Sequence, residues 1–213
     1  MKTLIITGGK INKNFIKKHL KTNKYDIIIA VDKGLEALNK LKVKPTYIVG
    51  DFDSVENKVL KKYERLNIKI KRLVPEKDLT DTQSALELAI ELGAIEIIMI
   101  GAIGTRIDHT LANIHIMKEA IKRNINIKII NENNEIKIID KSIKIKKDDN
   151  YKYISIIPLT TKVTGITIKG MKYKLENYTL EIGNSLGISN EQISEEAEIN
   201  ITDGILIIIK SRD

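Results

Sequence analysis

The sequence predicts an α/β N-terminal domain, a mostly parallel open sheet with helices on both faces, followed by an all-β C-terminal domain of sandwich or barrel type. Three observations carry this expectation. Short apolar runs alternate with helical patterns through the first part of the chain, and strands alternating with helices imply parallel pairing. From Asn131, at "NENNE", helical periodicity stops and period-two alternation takes over. No long linker separates the two parts, which sets the domains at 1–131 and 132–213.

In chain order, "TLIITGG" reads as a buried strand and "NKNFIKKHLKT" as an amphipathic helix. The strands that follow are "DIIIAVD", "TYIVGD", "IKIKRLV", "IEIIMIG" and "INIKIIN". Between them, "GLEALNKLK", "VENKVLKKYERL", "TDTQSALELAIEL" and "DHTLANIHIMKEAIKR" carry apolar residues at helical spacing. In the second part "EIKIID", "IKIKK", "YISIIP", "ITIKG", "TLEIG", "AEINIT" and "ILIIIK" alternate with period two, punctuated by Gly, Asn and Asp.

Composition excludes several classes of function. At 213 residues and 42% hydrophobic content there is ample material for a packed core. The absence of cysteine rules out a disulfide framework, a thiolate metal site and a Cys nucleophile. There is no apolar run of about 18 residues, and "MKTLIITGGK" lacks the features of a secretory signal, so a cytoplasmic protein without a membrane partner is expected. The net charge of +8 raises nucleic acid as a partner. However, the lysines alternate with isoleucines, as in "IKIIDKSIKIKK", the pattern of solvent-facing strand positions. With no Arg-rich helix and no aromatic stacking series, nucleic acid is not expected to bind.

Four strand ends carry candidate chemistry. In "VGDFDS", Asp51 and Asp53 follow an apolar strand, and residues two apart on an extended backbone point the same way. Two readings fit: a hard divalent cation such as Mg²⁺ between the carboxylates, or a loop that uses Asp for turns and for capping a helix starting near Ser54 or Val55. In "PEKDLTDTQSALELAIELG", Thr80 and Gln83 form a capping box, which puts Asp81 at the first helical position and Asp78 just before it. Asp81 fits a first-turn acid favoured by the helix dipole. Alternatively, if "IKIKRLV" ends on the same sheet edge as "TYIVGD", Asp81 completes an oxygen cage with Asp51 and Asp53, and Lys77 faces a phosphate.

In "IGAIGTRIDHTLANIHIM", Gly101 and Gly104 allow close backbone approach, the helix start offers N–H groups to an anion, and Arg106 can hold phosphate oxygens. Neither standard phosphate-loop pattern occurs. Asp108 reads also as a helix-start acid, and His109 and His115 as helix-face or packing residues. "AVDKG" adds Asp32 at a fourth strand end. Four such loops describe a ligand crevice along one edge of the sheet. In the β part, Gly170, Tyr173, Gly183, Ser185, Gly187, Ser189 and Asn190 suit either recognition of a heterocycle, with Tyr173 stacking on it, or ordinary hairpin turns.

Taken in order, "VGDFDS", "EKDLTDTQSALELA", "GAIGTRIDHTLANI", "GMKYKLEN" and "NSLGISNE" resemble the bacterial type of the thiamine pyrophosphokinase (thiamine diphosphokinase) family over nearly the whole chain. The resemblance implies transfer of the pyrophosphoryl group of ATP to the hydroxyl of thiamine, giving thiamine diphosphate and AMP, with Mg²⁺. It implies a catalytic domain at 1–131 that binds ATP and Mg²⁺, and a thiamine-binding domain at 132–213. It makes Asp51, Asp53 and Asp81 the metal ligands and Asp53, Asp81, Lys77 and Arg106 the catalytic residues. Asp32, Asp78, Thr80, Gly104, Arg106 and Asp108 fall to ATP, and Tyr173, Ser189 and Asn190 to thiamine. A metal-adjacent carboxylate, Asp81 or Asp53, is the candidate base for the alcohol. At Asp32 the family's A-D-G-G motif reads Val31-Asp32-Lys33-Gly34, with Lys33 in place of a glycine. The family also implies a homodimer, with a site near the domain and subunit interface.

Overall fold

The computed structural model describes residues 1–74 and 78–213. They form two compact units, Met1–Glu132 and Asn133–Asp213.

The first unit contains strands β1 (Lys2–Ile6), β2 (Ile27–Val31), β3 (Tyr47–Gly50), β4 (Lys69–Arg72), β5 (Glu96–Ile100) and β6 (Asn126–Ile130). Helices α1 (Lys13–Thr22), α2 (Gly34–Leu41), α3 (Asn57–Arg65), α4 (Asp81–Glu91), α5 (Ile107–Ile116) and α6 (Lys118–Ile121) connect them. The strands pair in parallel in the order β4-β3-β2-β1-β5-β6. The order reverses between β1 and β5, and in such sheets that reversal opens a crevice at the carboxyl ends of the strands.

Successive strand residues alternate between the two faces, so each face collects its own apolar set. Leu4, Ile6, Ala30, Ile48, Ile98 and Ile100 pack with Ile16 of α1, Leu35 and Leu38 of α2, and Val59, Leu60 and Tyr63 of α3. Helix α4 rests on β1, β2 and β3 without joining that cluster, which puts it on the opposite face. The helix starts follow from local chemistry: Asn12 Oδ1 accepts from the Asn14 and Phe15 N–H groups of α1, and Thr80 Oγ1 accepts from Gln83 N–H of α4 at 3.2 Å. Only half of the expected capping box forms there, because the Gln83 amide turns along the helix to Glu87 instead.

Two expected features move. The helix after "VGDFDS" begins at Asn57 rather than near Ser54, because Phe52 takes a left-handed conformation, φ 65°. The Val55 N–H closes a turn on Phe52 O at 3.2 Å. The extended backbone assumed for Asp51 and Asp53 is therefore absent. A left-handed non-glycine costs about 1–2 kcal/mol, which burying the Phe52 ring, at about 1.5–3 kcal/mol, offsets. The ring packs into the core. The last helical stretch, expected as one, divides at Met117, where the N–H bonds back to Ile114 O in a tightened turn.

The second unit contains β7 (Asn134–Ile139), β8 (Ile143–Lys146), β9 (Tyr153–Pro158), β10 (Lys162–Lys169), β11 (Leu175–Glu181), β12 (Glu196–Asn200) and β13 (Leu206–Ser211). Within it β7-β13-β9 and β11-β10-β12-β8 are antiparallel sheets. Ile139, Ile154, Ile156, Leu206 and Ile208 of the first face Ile145, Val163, Ile166, Ile168, Leu180, Ala197 and Ile199 of the second in one core. This is a two-layer β-sandwich.

Candidate active site

The parallel register aligns the candidate strand ends. Ile6 lies opposite Ala30 and Ile100, Val31 opposite Val49, and Gly50 opposite Arg72. A cavity of about 620 Å³ opens on this edge, lined by the ends of β1, β2 and β5 and by the starts of α4 and α5. It sits where the strand order reverses.

One end of the cavity is acidic. Asp32 follows β2 in a left-handed conformation, φ 44°, of the kind that persists at functional sites where surrounding packing over-determines it. Burial first, then the neighbouring Asp81 carboxylate and more weakly Asp51, push the Asp32 carboxyl up to about 7, against the opposing Phe52 N–H. Asp81 is in hydrogen-bonding contact with Asp32. Asp32 Oδ1 is buried without a hydrogen-bond partner. Thus Asp32 and Asp81, with Asp51 next to them, form the acidic centre. Asp53, expected at its heart, lies exposed in the turn, with its N–H donating to Asp51 Oδ1 at 3.2 Å.

Among the described residues, no group of three acidic or histidine side chains stands ready to enclose a metal ion. The two touching carboxylates and the orphaned Asp32 oxygen nevertheless fit Mg²⁺. This ion usually takes one or two carboxylates and completes its shell with water and substrate phosphate oxygens.

The other end is neutral and cationic. The loops after β1 and β5 are laced together: Gly9 N–H donates to Gly101 O at 3.0 Å and Lys10 N–H to Ile103 O at 3.2 Å. A β-carbon on Gly9 would stand 2.2 Å from Gly101 O, so only glycine allows this approach. Gly104 N–H donates to Thr110 Oγ1. Arg106 lines the cavity and is held by Asp108 through two bonds, 3.3 Å from Nε to Oδ1 and 2.6 Å from Nη2 to Oδ2. The Arg106 hydrogen bond, followed by the His109 N–H, holds the Asp108 carboxyl down to about 2. Asp78 and Asp108 are exposed and off the lining, whereas Thr80 and Gly104 are on it. His109, read as a helix-face or packing residue, is exposed and on the lining, while His115 is on the helix face. Lys77 lies outside the described residues.

In the second unit Asn190 is 6% exposed. Its Oδ1 accepts from Tyr173 N–H at 2.9 Å and its Nδ2 donates to Tyr173 O at 2.7 Å. Its amide is thus spent on positioning Tyr173. The Tyr173 ring is 60% exposed, with Lys172 Nζ 5.6 Å from its centroid, so that face already accepts a cation. Ser189, left-handed at φ 59°, donates its N–H to Ser155 Oγ at 2.9 Å.

Comparison with known proteins decides the family. Residues 18–129 match the family model "Thiamin pyrophosphokinase, catalytic domain", and residues 140–206 match "Thiamin pyrophosphokinase, vitamin B1 binding domain". The chain belongs to the thiamine pyrophosphokinase family. It is 36% identical to the thiamine pyrophosphokinase of Bacillus subtilis over the whole of both chains. The crystal structure of the Bacillus subtilis thiamine pyrophosphokinase superposes with a TM-score of 0.90 at 34% identity, again covering both chains entirely. That of the thiamin pyrophosphokinase from Geobacillus thermodenitrificans gives 0.87 at 29% identity, covering 100% of this chain and 98% of the other.

The cavity is also lined by residues to which the sequence assigned no role: Thr7, Gly8, Gly9 and Lys10 directly after β1, together with Lys33, Thr82, Thr105 and Asn113. The signal was available in "TGGK": paired glycines directly after the first strand mark a close backbone approach. Asn113 shows as a polar residue within the apolar stripe of "TLANI". It is buried and donates to Ala102 O at 2.9 Å.

Proposed function

We propose that this chain transfers the pyrophosphoryl group of ATP to the hydroxyl of thiamine, releasing AMP and thiamine diphosphate. The observation that carries the reading is a cavity at the strand-order reversal of a thiamine pyrophosphokinase-family sheet, with an Asp32–Asp81 carboxylate pair at one end and Arg106 on a glycine loop at the other. The oxygen of the thiamine alcohol forms the new bond to the β-phosphorus, the bond from that phosphorus to the AMP oxygen breaks, and the alcohol proton passes to an acidic residue, Asp81 or Asp53. Such a displacement needs aligned oxygens and neutralised charge more than a covalent nucleophile.

Asp32 and Asp81, with Asp51 or Asp53 in support, would hold Mg²⁺. When bound, the ion neutralises phosphate charge. Arg106 exchanges Asp108 for phosphate oxygens at little cost, since both partners are exposed. Lys77 adds a further cation. Thr80 and Gly104 supply neutral contacts on the lining. Residues 1–132 take the nucleotide and residues 133–213 take thiamine, whose cationic ring stacks on Tyr173. Asn190 fixes the Tyr173 backbone, and Ser189 adjoins it. The protein works in the cytoplasm as a homodimer; among the described residues no helix is long and apolar enough to cross a membrane.

The test is incubation with ATP, Mg²⁺ and thiamine, with products separated by chromatography. AMP and thiamine diphosphate in equal amounts are expected, and chelation of the metal should stop turnover. ADP in place of AMP, or no product at all, overturns the reading. Asp53→Asn is the internal check: a catalytic ligand leaves the fold intact and turnover crippled, whereas unchanged turnover removes Asp53 from the site. Sedimentation gives the oligomeric state.

A further inference from the structure

We infer that Lys10 and Lys33 form a pair of cationic anchors for the polyphosphate of the nucleotide. The inference rests on the reading of the cavity as an ATP site and adds two residues to it. Both line the cavity and both are exposed. The arginine that shares the lining with them is committed elsewhere: Arg106 is held by Asp108. Among the described residues, neither Lys10 nor Lys33 has an ion-pair or hydrogen-bond partner for its ammonium group.

The two loops that carry them adjoin. Lys33 Cβ lies 3.2 Å from where a β-carbon on Gly8 would stand, so the bare Gly8 backbone leaves room for the lysine stem beside the β1 loop. A β-carbon on Gly34 would fall 2.0 Å from Ile6 O, which shows how closely the start of α2 is pressed against the end of β1. Lys10 is tied through its own N–H to Ile103 O at 3.2 Å. The backbones of both lysines are therefore fixed beside the cavity, while among the described residues their ammonium groups have no partner. Asp32 occupies the adjacent position in the chain and Asp81 touches it. One cavity is thus lined by a carboxylate pair suited to a divalent cation and by two ammonium groups suited to the phosphates that cation carries. A flexible lysine serves as a point charge for phosphate.

Titration calorimetry of the full chain with ATP and, separately, with inorganic tripolyphosphate tests this. Lys10→Met and Lys33→Met are each expected to raise Kd for both ligands about tenfold, a change of about 1.4 kcal/mol. Lys33→Arg should retain most of the affinity, and KM for thiamine should stay unchanged. Lys17→Met, an exposed charge on α1 away from the cavity lining, controls for net charge and should leave Kd within twofold. Unchanged Kd in Lys10→Met and Lys33→Met, or an equal rise in Lys17→Met, overturns the inference. A wild-type chain that binds neither ATP nor tripolyphosphate overturns the nucleotide reading itself. A wild-type chain that makes AMP, with lysine variants that bind normally, removes only the lysine pair.

Discussion

A β-carbon placed on Gly50 would stand 2.0 Å from Asp32 Oδ1. The last residue of one strand is thus the space in which the acid of the neighbouring strand end is seated. Gly50→Ala is expected to drive the Asp32 carboxylate from its place, lowering kcat/KM by about 10²-fold, as misplacement of a reacting group by about 1 Å can do. Stability should fall by about 1–3 kcal/mol from overpacking. Steady-state kinetics beside urea unfolding would separate the two effects, and a variant with normal kcat would show that the position of Asp32 is not needed.

The raised Asp32 carboxyl has a signed consequence for stability. Its folded value of about 7 exceeds the ordinary 3.8, so the folded state holds the proton between those values while the unfolded state has lost it. The metal-free protein therefore loses stability as pH rises from about 4 through 7. In Asp32→Asn this loss is absent. The variant should melt higher than wild type above pH 7, by a few degrees on the order expected for a chain of this length, and the gap should close below pH 4. Turnover should be lost throughout. A gap that widens toward acid would contradict the burial and repulsion that raise this group.

Asn190 and Tyr173 separate structure from recognition. Asn190→Ala strips the Tyr173 N–H and C=O of their partners and should cost about 2–3 kcal/mol in urea unfolding, together with a higher KM for thiamine. Tyr173→Leu changes an exposed ring, so it should raise KM for thiamine with little change in stability. KM for ATP should stay within twofold in both. Loss of ATP affinity instead would assign this loop to the nucleotide.

His19 gives the second pH dependence. Burial first, then Lys128 and Lys2, hold its imidazole down to about 4 from 6.5. It bonds to the Tyr25 hydroxyl and stacks beside Phe15. A depressed folded value gives stability that is present above pH 6.5 and lost as pH falls through 4. Thermal melts of wild type should therefore decline more steeply over that interval than those of His19→Gln. Parallel curves would mean that the folded imidazole titrates normally.

The sequence by itself determined the two-part architecture, because apolar periodicity records which faces must leave water. Seven period-two runs after Asn131 became β7 to β13, and six apolar runs before it became β1 to β6. It also determined Thr80 as a helix cap, since that bond is local, and the family, since five ordered motifs survive in the linear chain. Only the tertiary structure decided which acids meet. Asp51 and Asp53 are two apart in sequence, yet with the left-handed turn at Phe52 between them Asp51 lies near Asp32 and Asp53 is exposed. Asp32 and Asp81, 49 positions apart by their numbers, come into contact because parallel strands bring their carboxyl ends to one edge. Lys33 stood out in the sequence only as a lysine in a glycine's place and Lys10 only as the residue after paired glycines; that both line one cavity was not legible there. A cavity at the reversal of strand order is built from backbones distant in sequence, and no spacing along the chain encodes their meeting.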